Sequence, residues 1–165
     1  MTDEVRLNFT PTAGHWHWVY QTWGTRRWTL IRTVALCALV AGLLLLANGG
    51  GVSAWVLIVG GAVCWFLPYV VVRREVRGLP PIALAAREIV LSADAVEVTT
   101  AQSYSRYAAS LVSAQHVNAG GLLLFNGSQV LSFIPRDAVH DEQFEQACRL
   151  AAVLTENGRA APRVA

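Results

Sequence analysis

The chain has 165 residues, of which 54% are hydrophobic and 15% are charged, and its mean hydropathy is +0.40. This composition is too apolar for an ordinary soluble protein of the same length. The formal net charge of +2 is too small to indicate a nucleic-acid-binding protein.

The first predicted element is a strand over residues 5–10, where apolar and polar residues alternate. A Thr-Pro pair at its end offers an N-cap and a first helical position. The helix that follows carries Trp16, Tyr20 and Trp23 on one face, an arrangement suited to the headgroup level of a membrane. Residues 1–29 are therefore predicted to form an N-terminal strand and an aromatic-rich interfacial helix.

Two apolar runs come next, and they predict two membrane-spanning helices. Residues 52–72 contain no charge, and a helix of that length, at about 1.5 Å per residue, matches roughly 30 Å of bilayer hydrocarbon. Residues 33–47 form a shorter run, which reaches back to Trp28 if Arg32 extends its guanidinium to the headgroups. The predicted transmembrane hairpin occupies residues 30–78. A cleavable signal peptide is not expected, because a second apolar run follows the first.

The placement of arginine predicts the orientation of the hairpin. Arginines lie before the first run and after the second, whereas the Asn-Gly-Gly-Gly connection is uncharged. Both termini are therefore expected in the cytoplasm, as in a multi-pass protein of a bacterial inner membrane. The short connection predicts antiparallel packing, with a homodimer through the same faces as the alternative. The small residues available for close approach are Ala35, Ala38 and Gly42 on the first helix and Ser53, Gly60 and Cys64 on the second.

A basic cluster follows the second run, at Arg73, Arg74 and Arg77. One interpretation is a collar that attracts anionic lipid headgroups, with each charge contributing on the order of 1 kcal/mol near the surface. The other is that these arginines only set the topology of the hairpin. Gly-Leu-Pro-Pro at residues 78–81 then marks a domain boundary.

From residue 79 onward apolar residues alternate with polar ones, which predicts short strands. The clearest hairpin is centred on Asn126 and Gly127, because Asn-Gly suits a tight turn in which both central residues take a positive φ. Tyr104 and Tyr107 lie on one predicted strand and are the candidate face for a partner. The predicted strands occupy residues 88–91, 96–100, 102–107, 112–118, 122–125 and 130–134.

One amphipathic helix is predicted after the strands, over residues 141–156. Asn157 and Gly158 are expected to end it, and residues 158–165 are expected to be a disordered tail. The predicted fold class is an α+β membrane protein. It combines an antiparallel transmembrane hairpin with a small cytoplasmic antiparallel sheet or partial barrel over residues 79–157, closed by the C-terminal helix.

The order of these parts and several short strings resemble the YcxB-like family of bacterial membrane proteins. The strings are EIVLSADAVEV around Asp94, residues 107–112, and residues 134–136 followed by the helix that holds Phe144. The sequence departs from the family at Ala95, where glycine is common, and at Tyr107, where tryptophan is common. The resemblance implies two spans and a cytoplasmic domain like a bacterial pleckstrin-homology (PH) domain, and it carries over no catalytic residue.

The residues that could carry chemistry do not form a recognisable catalytic or metal site. His15 and His17 face different sides of a helix and have no nearby Cys, Asp or Glu in sequence to complete a metal shell. His116, His140 and Asp137 are not accompanied by a nucleophile-elbow serine. We therefore predict no enzyme activity, no cofactor and no metal.

The predicted function is that of a membrane-anchored binding or regulatory module, whose PH-like domain binds a protein partner or lipid headgroups. Two alternatives stay open: a bacteriocin-immunity or envelope-stress accessory protein, and a small accessory subunit of a transporter. The expected partners are the bilayer, anionic lipids, an unidentified membrane or cytoplasmic protein and a second copy of the chain. No nucleic-acid partner is expected.

Overall fold

A computed structural model describes residues 4–160, apart from the side chain of Arg26. The chain is an α+β protein with two long apolar helices, two small antiparallel sheets and a C-terminal helix. It divides into two units. The sheet domain comprises the residues up to Val19 together with those from Leu79 onward, and the helical hairpin is Tyr20–Gly78.

The described residues form the strands that the sequence predicts, with ends displaced by one or two positions. Short 3-10 turns lie at Pro81–Leu84, Ala109–Leu111 and Arg136–Ala138. The helices are α1 (Ala13–Ala47), α2 (Val52–Arg77) and α3 (Asp141–Ala160). The strands are β1 (Glu4–Phe9), β2 (Arg87–Ser92), β3 (Ala95–Thr100), β4 (Tyr104–Ala108), β5 (Ala114–Asn118), β6 (Gly121–Asn126) and β7 (Gln129–Pro135).

The sheet domain is discontinuous in sequence. Its first sheet has the order β1-β2-β3-β4 and its second the order β5-β6-β7, with all pairs antiparallel. β1 pairs with β2 along its whole length, although α1 and α2 separate the two strands in the chain. The sequence assigned residues 1–29 to a segment of their own, whereas the structure assigns β1 to the sheet domain, because strand pairing outweighs adjacency along the chain.

One apolar core holds the two sheets and α3 together. In β1 the side chains of Val5, Leu7 and Phe9 are buried and alternate with exposed ones, as the period of two predicts. α3 packs its apolar face against β1, β2 and β5. The other large members of this core come mainly from the strands: Ile89, Leu91, Val96, Leu122, Leu123, Leu124, Phe133 and Ile134.

α3 extends beyond its predicted end, so the expected stop at Asn157 and Gly158 is wrong. The Asn157 side-chain amide donates a hydrogen bond of 2.9 Å to the Ala93 carbonyl oxygen. A Cβ at position 158 would collide with the backbone oxygens of Ala109 and Val112. The glycine therefore permits close packing of a continuing helix. Residues 161–165, the rest of the predicted tail, lie outside the described residues.

The β6–β7 turn is shifted by one residue from the prediction. Its central residues are Gly127 and Ser128, because Asn126 pairs with Gln129. Gly127 has a φ of +57°, and no non-glycine residue among those described has a positive φ. A glycine first in a two-residue loop is the pattern of a type II′ turn. The predicted positive φ at Asn126 is wrong for this reason.

In the helical hairpin, α1 and α2 approach closely through small residues. A Cβ on Gly42 would lie 3.0 Å from the Ala54 carbonyl oxygen, and one on Gly61 would lie 2.8 Å from that of Ala35. The expected contact surface on α1 is thus present at Ala35 and Gly42. On α2 it is displaced by one residue, since Gly60 faces open space.

Among the described residues, two helical segments are long and apolar enough to cross a membrane, Arg27–Ala47 and Val52–Arg77. Only 11% of the most apolar stretch of the first and 17% of that of the second are buried inside the protein. Large apolar side chains such as Val34, Leu44 and Phe66 are more than half exposed. Such extensive exposed apolar surface is typical of helices that contact lipid.

The two adjacent glycines of α2 give a direct test of the hairpin. Gly61→Ala is expected to destabilise helix packing by about 1–3 kcal/mol, because the new methyl group meets a backbone oxygen that cannot move aside. The matched Gly60→Ala change meets nothing and is expected to be neutral or stabilising by up to about 1 kcal/mol, from the better helix propensity of alanine. Unfolding of the full chain by SDS in detergent micelles, followed by circular dichroism, would measure both. Equal effects would contradict this register.

Candidate functional site

The three arginines of the predicted collar lie on the last two turns of α2. Arg73, Arg74 and Arg77 are all exposed. The helix continues through them to Arg77, and the Gly78 N–H donates to the Arg74 carbonyl oxygen at 3.0 Å. The structure thus brings these residues together on one helix end, with one acidic residue, Glu75, among them.

Tyr104 and Tyr107 do not share a face. They lie three residues apart on β4, so they point to opposite sides of the sheet. Tyr107 packs against the core, whereas Tyr104 is 60% exposed. Of the two tyrosines, Tyr104 is therefore the one exposed to a partner.

Tyr104 belongs to a small polar cluster on the outer face of the first sheet. Desolvation and the neighbouring Glu97 carboxylate raise the pKa of the Tyr104 hydroxyl. Glu97 also forms an ion pair of 3.3 Å with Arg106 on the same strand as Tyr104. Exposed pairs of this kind contribute at most about 1 kcal/mol. The cluster is a polar surface, and its contacts alone do not indicate a ligand.

A partly buried arginine, Arg87, anchors the start of β2. Its guanidinium lies 5.7 Å from the ring centroid of Trp16 and 5.1 Å from that of Phe133. The Ala83 carbonyl oxygen accepts hydrogen bonds from Arg87 Nη2 at 2.8 Å and from Trp16 Nε1 at 2.9 Å. Burial lowers the pKa of Arg87. The sequence prediction put Trp16 at the membrane interface, but the structure gives its indole partners within the sheet domain.

The N-terminus of α1 is closed by a reciprocal pair of hydrogen bonds. The Thr12 hydroxyl accepts from the His15 N–H at 3.3 Å, and His15 Nδ1 accepts from the Thr12 N–H at 3.1 Å. This is the arrangement of a capping box, with histidine in the usual position of glutamate. His15 Nε2 lies 3.0 Å from Asp137 Oδ1. His15 therefore has a structural role in capping the start of α1.

Residues 4–160 contain no group of three or more His, Cys, Asp or Glu side chains close enough to hold a metal ion. Asp137, one member of the set considered for catalysis, lies beside His15. The thiol of Cys148 is partly buried, and burial raises its pKa.

A polar cavity of about 240 Å³ lies between α1 and α2 in the helical hairpin. Sequence reasoning identified Arg32 only as a charge to be moved to the membrane surface and missed the cavity. The sequence did contain an indication of this cavity, because the spacing of Gln21, Thr25 and Arg32 puts three polar residues on one face of α1. We call this the Arg32 cavity, and its lining residues are Gln21, Thr25, Trp28, Thr29, Arg32, Pro68, Tyr69 and Val72.

The Arg32 cavity is distinguished by a charged hydrogen-bond donor that has no acidic partner within residues 4–160. The Arg32 guanidinium lies over the Trp65 ring, 5.9 Å from its centroid, and forms no ion pair within the described part of the chain. The Trp28 indole N–H has no hydrogen-bond partner among the described residues either, but it is buried against Gly24, which does not line the cavity. The hydroxyls of Thr25 and Thr29 donate to carbonyl oxygens of their own helix. Their oxygens can still accept hydrogen bonds.

The fold and its surfaces define a class: an α+β protein whose sheet domain is interrupted by a hairpin of two apolar helices. Comparisons with protein-family models, curated proteins and solved structures found no match to this chain. The resemblance to the YcxB-like family therefore stays a prediction.

Proposed function

We propose that this protein is a membrane-anchored, non-enzymatic binding module of a bacterial inner membrane. The observation that carries the proposal is the pair of span-length apolar helices with sparsely buried side chains, joined by an uncharged turn. Their exposed apolar surface needs lipid to cover it. The helices therefore anchor the chain, and the sheet domain is the part that binds a partner.

We further propose that the sheet domain is PH-like. Support comes from its four-stranded and three-stranded antiparallel sheets followed by one C-terminal helix that packs against both. In this arrangement the hairpin is an insertion between the first and second strands. A domain of this kind, with an exposed outer face around Tyr104, suits docking of a protein partner or lipid headgroups.

The discontinuous sheet domain supports a cytoplasmic location for both ends of the hairpin. The chain enters α1 from the sheet domain and returns to it after α2. One folded domain cannot lie on both sides of a bilayer, so β1 and β2 must be on the same side. The arginines that flank the hairpin select the cytoplasmic side.

Reporter fusions to the full chain test this function. A fluorescent protein fused after Ala165 is expected to fluoresce, and alkaline phosphatase at the same position is expected to be inactive. Alkaline phosphatase inserted at Gly50 is expected to be active, because that turn would face the periplasm. An active phosphatase after Ala165, or recovery of the unfused protein in the soluble fraction without detergent, would overturn the proposal.

Lipid binding through the collar has its own test. Changing Arg73, Arg74 and Arg77 together to glutamine is expected to weaken the association of added anionic lipid by several-fold at low salt. The effect should shrink at 0.5 M salt, where the Debye length falls to about 4–5 Å. Retention of fluorescent phosphatidylglycerol by the detergent-solubilised protein would measure it. Unchanged retention at low salt would leave the arginines with a topological role only.

A further inference from the structure

We propose that the Arg32 cavity binds the phosphate group of an anionic glycerophospholipid, with the Arg32 guanidinium as the donor. The site is inside the helical hairpin and is separate from the exposed collar of Arg73, Arg74 and Arg77. The proposal rests on membrane insertion as proposed above, because insertion brings lipid headgroups to this depth.

The cavity lies where the contact between α1 and α2 changes from small residues to larger polar ones. Facing residues recur every three or four positions along both helices, as in a coiled coil. Near the turn this seam is made of small residues, and the helices touch at Gly42 and Gly61. Toward the other end the seam on α1 becomes polar at Arg32, Trp28 and Thr25. Small-residue contact gives way there to an open space that water or a ligand headgroup can occupy.

The chemistry of the lining selects an anion. The Arg32 side chain is exposed, and its guanidinium presents several N–H donors. No acidic side chain lines the cavity. The fork of an arginine matches two oxygens of a phosphodiester. A cationic headgroup such as choline would find no counter-charge.

The net positive charge of the hairpin also favours an anionic ligand. Residues 20–78 contain six arginines and one acidic residue, Glu75. Glu75 is near Tyr20, whose hydroxyl pKa is raised by burial and by this carboxylate. Neither residue lines the cavity. Glu75 therefore leaves most of the positive charge uncompensated.

The position of Arg32 in the chain selects a lipid over a free ion. Arg32 lies inside the span-length segment Arg27–Ala47, more than one helical turn from its start. An ionised side chain at that depth is costly unless it reaches water or a counter-charge. Lipid phosphates lie at the membrane interface within reach of a long arginine side chain. Inorganic phosphate shares the chemistry but has no acyl chains to hold it beside the exposed apolar helices.

The test uses the full-length protein, purified in detergent, with three probes: phosphatidylglycerol, diacylglycerol of the same chain length, and inorganic phosphate. Phosphatidylglycerol is expected to raise the unfolding temperature and to be retained in native mass spectra. Diacylglycerol, which lacks the phosphate, should do neither. Inorganic phosphate should act only at much higher concentration, and an equal effect of inorganic phosphate would assign the site to a free anion and overturn the lipid proposal.

Variants locate the site. Arg32→Gln is expected to weaken phosphatidylglycerol binding by about tenfold or more, the loss of charge-assisted hydrogen bonds. The collar variant, with Arg73, Arg74 and Arg77 changed to glutamine, should reduce only the salt-sensitive part of binding. Binding unchanged in Arg32→Gln at 0.5 M salt would overturn the proposal.

Membrane fractionation of the same variants separates this proposal from the proposed function. Arg32→Gln protein that fractionates with membranes but no longer binds phosphatidylglycerol supports both. Wild-type protein found in membranes whose lipid binding does not depend on Arg32 overturns the cavity proposal alone. Wild-type protein found in the soluble fraction overturns the membrane anchor, and the cavity proposal with it.

Discussion

Leu7→Ala is expected to destabilise the sheet domain by about 2–5 kcal/mol, the usual cost of truncating a fully buried leucine. Leu7 is only 1% exposed and lies opposite Ile89 in the β1–β2 pair. The effect should appear in β2 and β3, which the sequence separates from Leu7 by the whole helical hairpin. Hydrogen exchange followed by mass spectrometry, on the full chain in detergent, would show faster exchange in peptides that cover residues 87–100.

Asn8→Ala provides the matched control, because Asn8 is the exposed neighbour of Leu7 on the same strand. A surface change of this kind is expected to alter stability by no more than about 0.5 kcal/mol. If Leu7→Ala left exchange over residues 87–100 as slow as Asn8→Ala does, β1 would not be part of the sheet.

The same packing bears on how the sheet domain can be produced. A fragment that begins at Leu79 would lack Val5, Leu7 and Phe9, all of which are buried in the shared core. It would also leave β2 as an open edge, because β1 covers that side. Binding studies therefore need the full chain.

Gly121→Ala is expected to cost about 2–5 kcal/mol, combining backbone strain with overpacking. Gly121 has a φ of +145°, a conformation that residues with a Cβ rarely adopt. A Cβ there would collide with the Ile134 carbonyl oxygen and would lie 3.0 Å from the Pro135 Cα. Because both obstacles are backbone atoms of β7, the second sheet would have to open. Faster hydrogen exchange in peptides covering residues 121–135 would measure the loss.

Gly127→Ala separates the effect of backbone strain from that of overpacking. Gly127 also has a positive φ, of +57°, but a Cβ on it would meet nothing within 4 Å. Its substitution is expected to cost about 1–2 kcal/mol from backbone strain alone. A larger cost for Gly127→Ala than for Gly121→Ala would contradict the close approach of β6 and β7 at Gly121.

The candidate sites were only partly accessible to sequence reasoning. Arg73, Arg74 and Arg77 are close in the chain, so any helix would bring them together. Tyr104 and Tyr107 were grouped by proximity in sequence, but the period of two in a strand puts them on opposite faces. The Arg32 cavity needs residues from both α1 and α2, and its existence depends on how far apart the helices are at that point.

Glycine was the residue whose role the sequence left most ambiguous. Gly158 follows an apolar helical pattern and predicts a helix end, because a glycine just after the last turn is the commonest stop signal. The structure shows that α3 continues and that the glycine accommodates neighbouring backbone oxygens. Conformational freedom and small size are separate properties of glycine, and only the neighbours decide which one is used.

The sequence by itself determined the elements of this protein, because each element follows from a local property of the chain. The length of an apolar run predicts a membrane span, and the period of apolar residues predicts a helix or a strand. It predicted two span-length helices, seven strands and an amphipathic C-terminal helix, and the described residues contain them. Only the tertiary structure decided that β1 pairs with β2 across an inserted hairpin, that Trp16 stacks beside Arg87, and that a polar cavity opens beside Arg32. Each of these depends on residues far apart in the chain, whose meeting is fixed by packing of the whole core and not by any local pattern.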